Sequence, residues 1–252
     1  MIGHTTVGQG NRRVLALHGW LGDWTVFAPM LPALDLERFC FVFMDYRGFG
    51  RSVDLEGEYS LAEIASDALL LADHLGWEQF SVLGHSMGGA AALRIAMDAP
   101  GRVQRIVAAT PVPASGVPLE AGARALFESA AQKLDARQAI IDFTTGSRLS
   151  HAWSRELASR SWSSSKPKAF ASYFDAWSNA AFADQARGMA IPMLVLIGEH
   201  DAGITESTMR ATYLADYPDC ALKILTNAGH YPMQEIPVTF ATELQAFLDP
   251  IY

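Results

Sequence analysis

The chain has two cysteines in 252 residues, Cys40 and Cys220. Without C-x-x-C spacing they offer neither a disulfide framework nor a thiolate metal site, and both are expected as free, buried thiols in strand-like runs. Basic residues are scarce: 19 Lys and Arg face 27 Asp and Glu, a formal charge of −8. That balance argues against nucleic acid or an anionic membrane as a partner. No apolar run approaches the roughly eighteen residues needed to span a bilayer. The apolar run after Arg12 and Arg13 breaks at His18, so no export signal is read and a cytoplasmic location is expected. Internal repeats are absent, and "RGFGRSV" lacks the third glycine of a dinucleotide fingerprint, since Val53 stands there. No cysteine metal site and no dinucleotide site are therefore expected.

What is present is a buried core in search of a sheet. Half the residues are apolar, enough for one large domain with or without an inserted subdomain. Short apolar runs recur: "VLALHG", "FCFVFMDYRG", "FSVLGHS", "RIVAATPV", "MLVLIGEHD" and "LKILTNAGH". They lack polar alternation, as expected of parallel strands covered on both faces. Helical patterns fall between them. "SLAEIASDALLLADHLG" carries an apolar stripe, with Ser60 and Glu63 spaced as a capping box and Gly76 placed to stop it. "MGGAAALRIAMDAP" and "PVTFATELQAFL" follow the same logic, the latter with Pro237 in its first turn. The expected class is α/β: a mostly parallel central sheet flanked by helices and joined by right-handed crossovers. From Val112 the rhythm breaks, after "TPVPASGVP", and it returns at "IPMLVLIG". Residues 112–186 are expected to form a helical cap inserted into a core of 1–111 and 187–252.

Within that frame Gly84-His85-Ser86-Met87-Gly88 fits G-x-S-x-G, with a strand before it and a helix after it. A serine on so sharp a turn stands exposed above the strand ends, beside a helix N-terminus that suits a developing oxyanion. It needs a base, and the base needs a carboxylate. Asp201 ends a strand-like run 115 residues after Ser86, and His230 follows 29 residues later. That is the order Ser, Asp, His. Glu199 is a rival acid and His200 a rival base. His200 adjoins Asp201, however, and a triad brings acid and base from different loops, so His230 is preferred. His18 is read as shaping its loop, His85 as a spacer beside the nucleophile, and Asp45, with Arg47 and Ser52, as holding a loop together.

Four motifs, "HGWLGD" at 18–23, "DYRGFGRS" at 45–52, "GHSMGG" at 84–89 and the "GEHD" and "NAGH" pair, make the chain resemble the α/β-hydrolase superfamily. The resemblance implies a cofactor-free serine hydrolase with a helical cap. It also implies an oxyanion hole made by the backbone N–H groups of Trp20 and Met87. Epoxide hydrolases and haloalkane dehalogenases of this superfamily carry Asp where this chain has Ser86, and proline aminopeptidase relatives carry "HGGPG" where it has "HGWLG". Both chemistries are disfavoured. The expected reaction is cleavage of a carboxylic ester through an acyl-enzyme. The same triad could act on a lactone, a thioester or a carbon–carbon bond beside a carbonyl, or carry out perhydrolysis. A ligand receptor that lost turnover is the reading from another class, and it would show a missing triad member.

The insertion bears on substrate. From Val112 to Arg187 there are nine Lys or Arg against seven Asp or Glu, and Arg148, Arg155, Arg160, Lys166 and Lys168 face Glu156 alone between 148 and 168. A solvated helix face explains such a run. The sharper reading is steering of an anionic or carrier-bound acyl substrate, suggested by a partial likeness to the carrier-protein methyl ester esterase of biotin synthesis. The insertion is also rich in aromatics, and Trp24, Trp153, Trp162 and Trp177 are candidates to line an acyl pocket.

Overall fold

The computed structural model describes residues 1–249. Seven strands form one sheet: β1 (His4–Gly8), β2 (Arg12–Leu17), β3 (Phe39–Met44), β4 (Phe80–His85), β5 (Val103–Ala109), β6 (Met193–Gly198) and β7 (Cys220–Leu225). Their spatial order is β1-β3-β2-β4-β5-β6-β7. All pairings are parallel except β1 with β3, where His4 opposes Met44 and Gly8 opposes Cys40. The central strands are buried throughout, as their unbroken apolar runs require. β7, at one edge, instead alternates between covered and exposed residues. Both cysteines are free, but half-buried rather than buried, because Cys40 lies on β3 and Cys220 opens the edge strand β7.

The helices are α1 (Leu61–His74), α2 (Met87–Asp98), α3 (Ala121–Ser129), α4 (Leu134–Thr144), α5 (His151–Ser163), α6 (Pro167–Ser178), α7 (Ala183–Ala186), α8 (Glu206–Ala211), α9 (Tyr213–Asp216), α10 (Pro232–Glu235) and α11 (Pro237–Leu248). A 3-10 helix, Trp24–Ala33, precedes β3. α1 starts where the sequence suggests, with the Ser60 hydroxyl accepting from Glu63 N at 3.1 Å. The Glu63 carboxylate reaches back further than a simple capping box, taking the amides of Glu58 and Tyr59 at 3.0 and 2.8 Å. Gly76, at φ 67°, ends the helix in the left-handed region.

Between β5 and β6 the described chain is helical, from α3 to α7. This layer is pinned to the 45–52 loop. Phe49 bridges Ser165, Gly50 N donates to Ser164 O at 2.7 Å, and Lys166 N donates to Gly48 O at 2.9 Å. Its interior holds a buried cation, Arg137, 1% exposed. The guanidinium donates to Ala130 O and to the hydroxyls of Ser161 and Ser165, and sits 3.6 Å from the centre of the Phe170 ring. Burial pushes its pKa down. The hydroxyl contacts and the aromatic face stand in for a counter-charge.

Candidate active site

The turn from β4 into α2 carries Ser86 at φ 54°, ψ −117°. A non-glycine residue held there is strained, and the surroundings over-determine it. Ser86 N donates to Ala109 O at 2.9 Å, while Ser86 O accepts from Gly89 N at 2.8 Å and from Val112 N at 3.0 Å. The turn closes only because a Cβ is missing at two places. One added to Gly84 would lie 2.3 Å from Gly88 O, and one added to Gly88 would lie 2.4 Å from Leu17 O.

Ser86 Oγ lies 3.0 Å from His230 Nε2, and His230 Nδ1 lies 2.6 Å from Asp201 Oδ2. The other carboxylate oxygen of Asp201 accepts from Gly203 N at 2.8 Å and Ile204 N at 2.9 Å. The three residues thus form one hydrogen-bonded line drawn from three loops. Asp201 is buried, and His230 nearly so. With Nδ1–H donating to the carboxylate, Nε2 is free to accept the serine proton.

The rivals are elsewhere engaged. Glu199 accepts from Asn227 N at 2.7 Å and pairs with His200 at 3.0 Å. Both therefore brace the loop that carries His230 and stand outside the line. His85 is buried and neutral: burial first, and His230 second, push its pKa well below 6.5. Its Nε2–H donates to His230 O at 2.8 Å, a carbonyl that Thr110 Oγ1 also reaches at 3.1 Å. His85 is therefore more than a spacer, since it holds the backbone of the residue beside the serine. Asp45 accepts the amides of Trp24 and Arg51 at 2.8 and 2.9 Å. His18 donates to Gly19 O at 2.7 Å and packs on Tyr46. Arg47 forks onto Asp67 at 2.7 and 2.8 Å, and the Ser52 hydroxyl accepts from Gly3 N at 2.7 Å.

The loop bearing Trp20 runs against the serine turn: a Cβ on Gly19 would lie 2.8 Å from His85 Nδ1 and 3.1 Å from Ser86 Cβ. Met87 opens α2 next to Ser86 and is fully buried. The Trp20 side chain belongs to the helical layer. Its Nε1–H donates to Phe170 O at 2.7 Å, and its ring stacks on Phe170 at 4.1 Å and on Phe127 at 5.8 Å.

Above Ser86 is a cavity of about 300 Å³. Its walls are mostly apolar, among them Leu21, Val112, Ile140, Phe143 and Trp177, and Glu120 also lines it. Of the tryptophans expected there, Trp177 lines it and the other three do not. Trp24 packs toward Phe43, where its amide is tied to Asp45. Trp153 turns edge-on to Tyr231. Trp162 lies by Arg137, 39% exposed. Trp24 and Trp153 are half-buried against the core and Trp162 is partly exposed, so none of the three reaches the cavity wall. Phe143, half-exposed at the cavity wall, escaped notice because one aromatic at a helix end has no signature.

The basic run of the insertion is paired off. Arg148 bonds Glu235, Arg155 bonds Asp135 at 2.5 Å, Arg160 bonds Glu156 at 3.3 Å and Lys166 bonds Asp54 at 3.1 Å. Lys168 lies 5.9 Å from the centre of the Tyr59 ring. Three of these acids, Glu235, Asp135 and Asp54, lie outside the 148–168 window, so counting charge within it overstated the imbalance.

The profile of the α/β hydrolase fold family matches residues 12–235. The chain belongs to this family. Among curated proteins, it is 39% identical over 99 residues to carbamate hydrolase RutD of Caulobacter vibrioides, 39% of this chain and 36% of that one. A soluble epoxide hydrolase of Corynebacterium sp. is 35% identical over 103 residues, 41% of this chain and 35% of the relative. Serine hydrolase BPHL of Mus musculus is 37% identical over 105 residues, 40% and 36%. The chain thus spans little more than a third of the length of these curated relatives. Similar solved structures extend over almost the whole α/β hydrolase. An esterase from Exiguobacterium antarcticum has a TM-score of 0.88 at 18% identity, covering 98% of this chain and 95% of that one. A bromoperoxidase from Bacillus anthracis has a TM-score of 0.87 at 21% identity, covering 97% and 94%. At such identities the likeness is one of fold. No described helix is long and apolar enough to cross a membrane.

Proposed function

We propose that the chain is a serine hydrolase that cleaves carboxylic esters through an acyl-enzyme on Ser86. The observation that carries this reading is the Ser86–His230–Asp201 hydrogen-bond line beneath an apolar cavity. In the first half-reaction Ser86 Oγ attacks the ester carbonyl carbon while His230 Nε2 takes its proton. Asp201 stabilises the imidazolium, and the amides of Trp20 and Met87 hold the oxyanion. The carbon–oxygen bond then breaks, and the leaving alcohol takes the proton from His230. Water repeats the cycle with the acyl group, releasing the acid and restoring the serine.

The cavity supports an uncharged, short to medium acyl group, since its volume is at the small end for ligand pockets. Its walls carry no Lys or Arg for an acidic acyl tail, and Arg148, Arg155, Arg160 and Lys166 of the cap are engaged by carboxylates. One of the relatives is named an epoxide hydrolase. The serine at position 86 favours acyl transfer here.

The test is release of p-nitrophenol from acetyl, butyryl, octanoyl and palmitoyl esters by the wild type and by Ser86→Ala. Turnover greatest on the shorter esters and abolished in Ser86→Ala is expected. Turnover that survives the substitution overturns the reading. A folded wild type inert toward all four esters shifts the reading to a lactone, thioester or carbon–carbon bond.

A further inference from the structure

The base sits on the loop that follows β7. β7 is an edge strand, and the chain turns sharply after it, with Asn227 at φ 59°. No strand ladder reaches His230. Beside the ties from Glu199, His200, His85 and Thr110, the loop is held by a buried carboxylate, Glu235, at the end of α10. Its side chain is 1% exposed. Oε1 accepts from Tyr231 N at 2.9 Å and Oε2 from Gly229 N at 2.8 Å. These are the amides on either side of His230, so one side chain pinches the backbone that aims the imidazole.

A buried carboxylate is costly unless it is both hydrogen-bonded and paired. The pairing comes from the cap. Arg148, in the segment between α4 and α5, places Nη2 on Glu235 Oε2 and donates from the same nitrogen to Asn227 O at 2.9 Å. The end of α4 adds a second tie, His230 N donating to Thr144 O at 3.2 Å. A glutamine at position 235 would offer one acceptor for two amides and no charge for Arg148. The carboxylate is thus the group that both tasks require.

We propose that Glu235 is a positioning residue for His230, and that Arg148, reaching over from the helical layer, supplies the counter-charge that keeps the Glu235 carboxylate in place. The inference rests on His230 being the base of the proposed hydrolase.

The test compares wild type, Arg148→Ala, Arg148→Lys, Glu235→Gln and the Arg148→Ala/Glu235→Gln double variant. Each is first checked by thermal melting. Arg148 is partly exposed, so its variants keep the question answerable if Glu235→Gln does not fold. Two readouts are taken: kcat and KM on p-nitrophenyl butyrate, and the far-downfield proton resonance of His230 Nδ1–H bonded to Asp201. Loss of positioning is expected to lower kcat about 10- to 100-fold with KM little changed, and to broaden or shift the resonance. Arg148→Lys is expected to recover most of the loss, and the double variant to be no worse than Glu235→Gln, because the two act as one unit. Folded Arg148→Ala with wild-type kcat and an unaltered resonance overturns the proposal, as does a fully additive double variant. If the wild type shows no Ser86-dependent turnover, the hydrolase reading fails, and the Nδ1 resonance still decides whether Arg148 and Glu235 position the imidazole.

Discussion

Asp201 divides its two oxygens: Oδ2 lies 2.6 Å from His230 Nδ1, and Oδ1 holds the amides of Gly203 and Ile204. The carboxylate is thereby fixed before it orients the ring. Asp201→Asn would keep the shape but offer His230 the wrong hydrogen-bonding partner. It is expected to lower kcat on p-nitrophenyl butyrate by about 10³- to 10⁴-fold. Glu199→Gln, which alters the Asn227 and His200 contacts, is expected to change kcat by less than about tenfold, since it removes no interaction made in the transition state. The reverse ranking would make Glu199 the acid.

Folding stability should fall in mild acid, with His85 responsible for part of the slope. Its folded pKa is depressed by burial and by His230, so below about pH 6.5 the unfolded chain binds a proton that the folded chain does not. Unfolding free energy therefore drops as pH falls below 6.5, by up to about 1.4 kcal/mol per pH unit for one group. Urea unfolding from pH 7 to pH 5 should show a shallower slope in His85→Asn, by about one proton. Equal slopes in the two proteins would contradict the assignment.

Trp177 closes the wall of the cavity from α6. Trp177→Ala should move the preferred acyl chain to greater length, seen as a rise of octanoyl relative to butyryl ester in kcat/KM. An unchanged order would mean that the acyl group lies elsewhere.

Because Arg155 and Arg160 are paired with Asp135 and Glu156, the Arg155→Ala/Arg160→Ala variant should hydrolyse a monoester of a dicarboxylic acid as the wild type does. Added salt should affect both alike. A selective loss on the acidic ester, erased by salt, would restore the steering idea.

The parts of the structure legible in the sequence are those with short-range signals. The apolar runs of β2 through β6 report burial on both faces, and Ser60, Glu63 and Gly76 mark the ends of α1 because caps act within one turn. The order of Ser86, Asp201 and His230 could be read because each follows a strand. β1 escaped notice: "HTTVG" is half-exposed and acquires strand character only by pairing antiparallel with β3. The pairing of Glu235 with Arg148 is illegible for another reason. They are 87 residues apart, and neither has a local pattern that distinguishes it from a surface charge. Which of Trp24, Trp153, Trp162 and Trp177 lines the cavity is not legible in the sequence, because aromatic content says nothing about which helix face meets it.

The central claim is that Ser86 is a nucleophile activated by His230, and the most direct test is covalent. Wild type, Ser86→Ala and His230→Ala would be treated with a fluorophosphonate, and the peptide containing "GHSMGG" examined by mass spectrometry. One phosphonyl group per chain on Ser86 of the wild type, none on Ser86→Ala and much slower labelling of His230→Ala are expected. A folded wild type left unlabelled, or labelled at another residue, would contradict the claim.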